Sequence, residues 1–192
     1  AGFGAIGVGY NSLSTSGNTS INLAGSKITA TNGNINVKAL DNSDLDLMNV
    51  SASAAVLSVP LTFGKTKNTS NVIVSTDGTG TFNEGALTAN GKTITLRAER
   101  ATDIKNEVYQ VGSGGVSVAI TNNDANDTGD ASVLLKRSGT TYNANTINVE
   151  AVNTPKVKTR TPAITTSIVG LSHANSNAGV SGATKIDVDS GN

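Results

Sequence analysis

The chain has 192 residues, and its 14 basic and 14 acidic side chains give a formal net charge of zero. That balance leaves no basic excess to neutralise phosphates and argues against nucleic acid as a partner, while zero cysteines exclude disulfides and thiolate metal sites. Aromatics are 3% with no Trp, so a core in a chain of this length must be filled by Val, Ile, Leu and Ala rather than by aromatic anchors.

In chain order, residues 5–8 and 20–23 read as short strands on either side of a Ser/Thr/Asn/Gly turn, with a further strand at 28–30. Asn32-Gly33 is a tight-turn signal leading into Ile35-Asn36-Val37-Lys38-Ala39. Residues 41–46 read as a polar loop, and 53–63 as a long apolar strand broken at Pro60, which predicts an edge or a bulge there. A polar turn at 65–71 precedes Val72-Ile73-Val74, and the Gly/Thr-rich residues 77–85 read as loop. Asn90-Gly91 repeats the earlier turn signal before Ile94-Thr95-Leu96-Arg97-Ala98. Within 98–111, Ala101, Ile104, Val108 and Val111 approximate a helical stripe. The equivalent segment after Ile147 carries Pro155 and Pro162, which would break a helix, so all copies are read as strand and loop. A glycine-led strand at 112–121, the most polar loop at 122–130, strands at 132–136 and 147–151, a weakly alternating stretch at 162–174 and a last strand at 185–188 complete the chain.

The pentapeptide at Ile35 returns at Ile94 and as Ile147-Asn148-Val149-Glu150-Ala151, at spacings of 59 and 53. Each copy alternates aliphatic and polar residues, the period of a strand with one buried face. Ile35, Val37, Ile94, Leu96, Ile147 and Val149 are therefore expected to point inward, and Asn36, Thr95 and Asn148 outward. Aliphatic doublets of the same form start at Ile6, Ile21, Ile35, Leu57, Val72, Ile94, Val116, Val133, Ile147, Val169 and Ile186, at a mean interval of 18. Self-similarity of this kind predicts a repeat architecture. The fold expected is all-β, a right-handed parallel β-helix (β-solenoid) of roughly ten coils of about 18 residues, stacked about 4.8 Å apart into a rod about 50 Å long. The whole of 1–192 is expected to be a single segment of a longer array, with longer internal units near 35–93, 94–146 and 147–192, because the chain starts mid-pattern and stops just after an anchor.

Candidate chemistry is sparse. Asp124, Asn126, Thr128 and Gly129 fall at spacings that echo a calcium-binding loop, but Leu135 stands where its last acidic ligand belongs, so a solvated turn is the reading. His173 is the only histidine, has no second His or Cys to share a metal, and reads as a surface residue. Asp44/Asp46 and Asp187/Asp189 are spaced to share a strand face, as paired carboxylates in polysaccharide-cleaving β-helix enzymes would be, yet outward Asp is more simply a solubilising or edge-protecting charge. No catalytic, cofactor-binding or metal-binding residue is assigned, and the chain is not expected to be an enzyme. No stretch approaches the apolar length of a membrane span.

The run from Ile147 through Lys158 and on to Ile168-Val169-Gly170-Leu171 resembles the repeats of large bacterial exoproteins, the filamentous-haemagglutinin-like adhesins and leukotoxin-type proteins of the type V secretion pathways. Residues 94–98 and 111–119 match the same pattern. The resemblance implies a right-handed parallel β-helix, secretion or display on the bacterial cell surface, and a role as a structural or adhesive shaft. Partners would be other copies of the chain end to end, a host or cell surface, or a glycan. A carbohydrate-active β-helix enzyme and a segment of a cytotoxic exoprotein are the alternatives carried forward.

Overall fold

The structure is a computed structural model that describes residues 3–76, 85–135 and 140–188. Among the described residues eleven strands follow one another: β1 (Gly4–Thr15), β2 (Asn18–Asn22), β3 (Lys27–Ala30), β4 (Ile35–Ala54), β5 (Leu57–Asn68), β6 (Asn71–Ser75), β7 (Ala86–Asp127), β8 (Ala131–Leu135), β9 (Thr141–Arg160), β10 (Ala163–Val180) and β11 (Thr184–Val188). The described residues contain no helix, so residues 98–111 are strand within β7, as the prolines of the equivalent segment required.

Every strand pairing is parallel. Four successive layers result. The first is β1 and β2, the second β3 to β6, the third β7 and β8, and the fourth β9 to β11. Gly4 pairs with Leu57, Leu57 with Val116, and Val116 with Val169. Ile35 pairs with Ile94 and Ile94 with Ile147, so the three pentapeptides lie directly over one another.

This register corrects the expected coil. Hydrogen-bonded neighbours are 53 or 59 residues apart in sequence, not about 18, and the described chain stacks four layers rather than ten. At about 4.8 Å per layer the stack is roughly 15 Å deep, while the 20 residues of β4 alone have a contour of about 65 Å. The reason is that the polar stretches read as loops are mostly strand, with breaks only at 69–70 and 128–130 of the stretches 65–71 and 122–130. Residues 41–46 lie inside β4, 65–68 inside β5 and 122–127 inside β7. Their Asn, Asp, Ser and Thr side chains find partners across the layer or in the layer next to them, so the strand continues. Asn71 Nδ2 donates to Asn18 Oδ1 at 3.1 Å and Asn177 Nδ2 to Asp124 Oδ1 at 3.0 Å, each reaching the equivalent position one layer away. Such amide ladders use the Asn-rich composition to join layers.

Length differences between layers sit in connections. The link from Ser75 to Ala86 is six residues longer than that from Asn22 to Lys27, and most of the predicted loop at 77–85 falls outside the described residues. Asn90-Gly91 is not a free turn but a register shift within β7 between Ala89 and Thr93. Gly91 has φ 64°, a left-handed conformation that favours glycine. Pro60 is on neither an edge nor a bulge. It lies in β5 between β1 and β7, where pairing with β7 skips Val59 and Pro60 and resumes at the same interval.

Within each layer the chain forms two walls that face each other. The first wall comprises β3, β4, the 86–113 half of β7, β9 and the start of β10. The second comprises β1, β2, β5, β6, the 116–127 half of β7, β8, the remainder of β10, and β11. At one end of the walls Leu23, Ile35, Val37, Ala39, Val72, Val74, Leu87, Ala89, Ile94, Leu96, Ala98 and Val133 form a continuous aliphatic core. The third layer, covered on both sides, is the most buried. Ile94 and Leu96 are fully buried, as are Val72 and Val74 opposite them. Ile147 departs from expectation. It continues the Ile35/Ile94 column but is 45% exposed, because the fourth layer has nothing stacked on it; Val149 is half-buried against the core. Asn36 and Asn148 are exposed and Thr95 is half-buried.

Candidate interaction surface

Three regions carry chemistry: a buried polar ladder, a charged strip on the first wall, and the outer face of the second wall. The ladder lies in the middle of the walls, where Asp41, Arg100 and Asn153 occupy one column and Thr15, Asn68, Asp127 and Val180 the facing one. Arg100 and Asp127 are both fully buried and ion-paired. Arg100 Nη1 donates to Asp127 Oδ2 at 2.9 Å and to Asn153 Oδ1 at 3.1 Å, Nη2 donates to Asp127 Oδ1, and Nε donates to the Ser70 carbonyl at 2.8 Å. One guanidinium thereby ties three layers and both walls. Asp127 Oδ1 also accepts from Gly129 N at 3.4 Å, and one layer earlier Asn68 Oδ1 accepts from Ser70 N at 2.9 Å, the same side-chain turn repeated. A Cβ at Gly129 would lie 1.9 Å from the Ser70 carbonyl oxygen and 2.6 Å from the Arg100 guanidinium carbon. Gly129→Ala is accordingly predicted to lower the unfolding midpoint clearly, while leaving far-UV circular dichroism at low temperature that of a β protein.

The calcium-like residues are separated by this arrangement. Asp124 points outward and accepts from Asn126 Nδ2 at 2.8 Å and from Asn177, whereas Asp127 is turned inward onto Arg100. No group of three His, Cys, Asp or Glu able to hold a metal occurs among the described residues.

On the outer face of the first wall, Lys38, Arg97 and Glu150 form one column beside Glu99. Lys38 Nζ lies 2.6 Å and Arg97 Nε 2.9 Å from Glu99 Oε2, and Arg97 Nη1 lies 2.5 Å from Glu150 Oε2. The hydrogen bond from Lys38 is the largest influence holding the Glu99 carboxyl below the usual carboxylate range, with that from Arg97 acting alongside it, and the two glutamates raise Arg97. These pairs are half-exposed at the surface, where solvent and salt screen them. Arg97→Gln is predicted to shift the melting midpoint slightly at low ionic strength, with the difference fading in high salt.

Farther along that face Lys105, Glu107, Lys158, Thr159 and Arg160 line a shallow groove of about 440 Å³. Arg160 stands 5.9 Å over the Tyr109 ring, and Tyr109 donates its hydroxyl to Glu107 Oε2 at 2.8 Å, which raises the Tyr109 pKa. No sequence motif announced the groove: Lys105, Glu107, Lys158 and Arg160 are outward positions of two strands brought together by the 53-residue interval, and Thr159 stands between them in register with Asn106.

The paired carboxylates do not converge on a site. Asp44 and Asp46 point outward on β4, level with Asp103 and Lys105, and Asp187 is 3.1 Å from Lys185. Asp189 lies outside the described residues. His173 is exposed on β10.

The outer face of the second wall overturns part of the sequence reading. The doublets Ile6/Val8, Leu57/Val59, Val116/Val118 and Val169/Leu171 point out of the stack, not into it. Their neighbours Ser58, Thr62 and Ser117 are the buried residues. Inside, small hydroxyl groups zip the walls together: Ser53 Oγ is 2.7 Å from Ser58 Oγ, and Ser51 Oγ is 2.5 Å from Thr62 Oγ1. Three of the doublets fall in register, Leu57/Val59, Val116/Val118 and Val169/Leu171, while Ile6/Val8 is offset by two residues, Ile6 lying beside Val59 and Val8 beside Leu61. No protein-family description, no curated protein and no solved structure matches this chain.

Proposed function

We propose that the chain is a shaft segment of a secreted or surface-displayed bacterial fibre, a structural and adhesive element of the kind found in filamentous-haemagglutinin-like exoproteins, and that it catalyses no reaction. The finer form of the fold belongs to this reading: the layers close into a right-handed β-solenoid whose coil is 53–59 residues long, right-handed being the usual hand of parallel crossovers. The observation that carries the proposal is the direct stacking of Ile35, Ile94 and Ile147 through parallel pairing. Each layer touches the layers next to it, so adding layers adds length without demanding new long-range contacts. The first and last layers present unpaired strand edges, and Ile147, Ile186 and Val188 in the last layer are 45%, 50% and 63% exposed, the arrangement that favours end-to-end growth.

Electron microscopy of the purified chain tests this. Filaments that lengthen with concentration are expected; short particles of one size at high concentration would contradict it. Cleavage of an acidic polysaccharide, lost on Asp187→Ala, would replace the shaft with an enzyme.

A further inference from the structure

The shaft reading uses the edges of the layers and leaves their outer faces without a role. On the second wall, Ile6, Val8 and Tyr10 of β1 lie beside Val59, Leu61 and Phe63 of β5. Leu57 and Leu61 of β5 lie beside Val116 and Ile120 of β7, and Val169 and Leu171 of β10 lie beside Val116 and Val118. All of these alternate with inward residues and face solvent. Ile6 is 74% exposed, Val8 67% and Leu171 64%. The apolar lattice turns the corner of the stack through Val56 and Ile168, the latter 92% exposed. It holds no Asp, Glu, Lys or Arg; Asn122, His173 and Asn175 form its polar corner in the third and fourth layers, and Lys65, Lys67 and Asp124 lie beyond its Tyr10/Phe63 border. A contiguous apolar patch of this kind on a soluble face marks an interaction site.

We infer that a second copy of this chain packs on this face, joining two stacks side by side. Four layers about 4.8 Å apart and four outward columns about 6.6 Å apart give roughly 500 Å² per face, so pairing two of them covers about 1,000 Å², the size at which a specific interface begins. Sheets with period-two apolar side chains on one face pack face to face about 10 Å apart, as in β-sandwiches. A two-fold pairing sets the first layer of one copy against the fourth of the other, bringing Ile6 and Val8 toward Val169 and Leu171, with Tyr10, His173 and Asn175 at the margin. The zero net charge removes the repulsion that would keep copies separate. A lipid surface fits less well. Burying this face in hydrocarbon also brings the unpaired backbone of the first and last layers to the membrane, where no water satisfies it.

The test is sedimentation of the purified chain beside Val118→Lys, a substitution at the centre of the lattice that reaches solvent in the single stack. The parent is expected to sediment as a concentration-dependent dimer or larger species. Val118→Lys is expected to lose lateral pairing with circular dichroism and melting midpoint unchanged. Because the chain has no cysteine, Val118→Cys with a bis-maleimide of about 10 Å reach, matching the sheet-to-sheet spacing, should give cross-linked dimer in at least several-fold higher yield than Thr95→Cys on the opposite wall. A parent that stays single-stacked, a Val118→Lys variant that still pairs laterally, or equal cross-linking at the two positions would overturn the inference. Binding to phosphatidylcholine vesicles that Val118→Lys abolishes, without dimerisation of the parent, would assign the face to lipid instead. Filaments that persist in Val118→Lys as single, unpaired strands would uphold both readings, and loss of filaments with lateral dimers retained would remove the shaft alone.

Discussion

Asp127→Ala is expected to destabilise the fold by about 3–5 kcal/mol, the cost of leaving a buried guanidinium without its counter-charge. Arg100 has no route to water: it is fully buried, and its remaining bonds go to the Ser70 carbonyl and the Asn153 amide, both neutral. Losing Asp127 therefore removes the carboxylate that is hydrogen-bonded to the cation and also the acceptor for Gly129 N. Urea unfolding read by circular dichroism measures the loss. The companion variant Arg100→Met/Asp127→Leu removes both charges at similar volume and should recover most of it, since a buried ion pair is worth little against well-packed apolar side chains. Equal destabilisation by the single and the double substitution would show that the charge is not the cause.

The second large effect is at the pentapeptide of the third layer. Leu96→Asp places a carboxylate among Ile94, Val72, Val74 and Val133, with no partner, and is expected to cost several kcal/mol or to prevent folding. Thr95→Asp changes the neighbouring residue on the outer face between Asn36 and Asn148 and should stay within about 0.5 kcal/mol. The same comparison at Val149 and Asn148 should be milder, because the fourth layer covers Val149 on one side only. Similar melting shifts for Leu96→Asp and Thr95→Asp would refute the assignment of faces.

Some of this was legible in the residues and some was not, for definable reasons. Period two and the thrice-repeated pentapeptide pointed to strands stacked in parallel, and Pro155 and Pro162 ruled out the helix that Ala101, Ile104 and Val108 suggested. Period two says that one face is apolar but not which face another wall covers. Ile35/Val37 and Leu57/Val59 look alike in sequence, yet the first pair is buried against Leu23 and Val74 while the second faces out over a Ser- and Thr-lined interior. Coil length differs from the expected 18 for a related reason. Asn, Asp and Thr runs have the composition of turns, whereas in a stack of this depth such side chains bond to their equivalents one layer away, and most of these runs are strand. The Arg100–Asp127 pair could not be found locally, since its members are 27 residues apart and meet only when the two walls close. The groove at Lys105, Lys158 and Arg160 depends in the same way on the interval between layers.

That interval is the claim on which the rest stands, and a pair of introduced cysteines measures it. Thr95 and Asn148 are partners in adjacent strands and face the same side of the first wall. In-register Cα atoms about 4.8 Å apart lie within disulfide range. Thr95→Cys/Asn148→Cys, in a chain that has no other cysteine, is expected to close an intramolecular disulfide readily under mild oxidation and to raise the melting midpoint. Thr95→Cys/Ser113→Cys, spaced as a coil of about 18 residues would require, should remain reduced. Ready closure of the second pair with failure of the first would contradict the 53–59-residue layer.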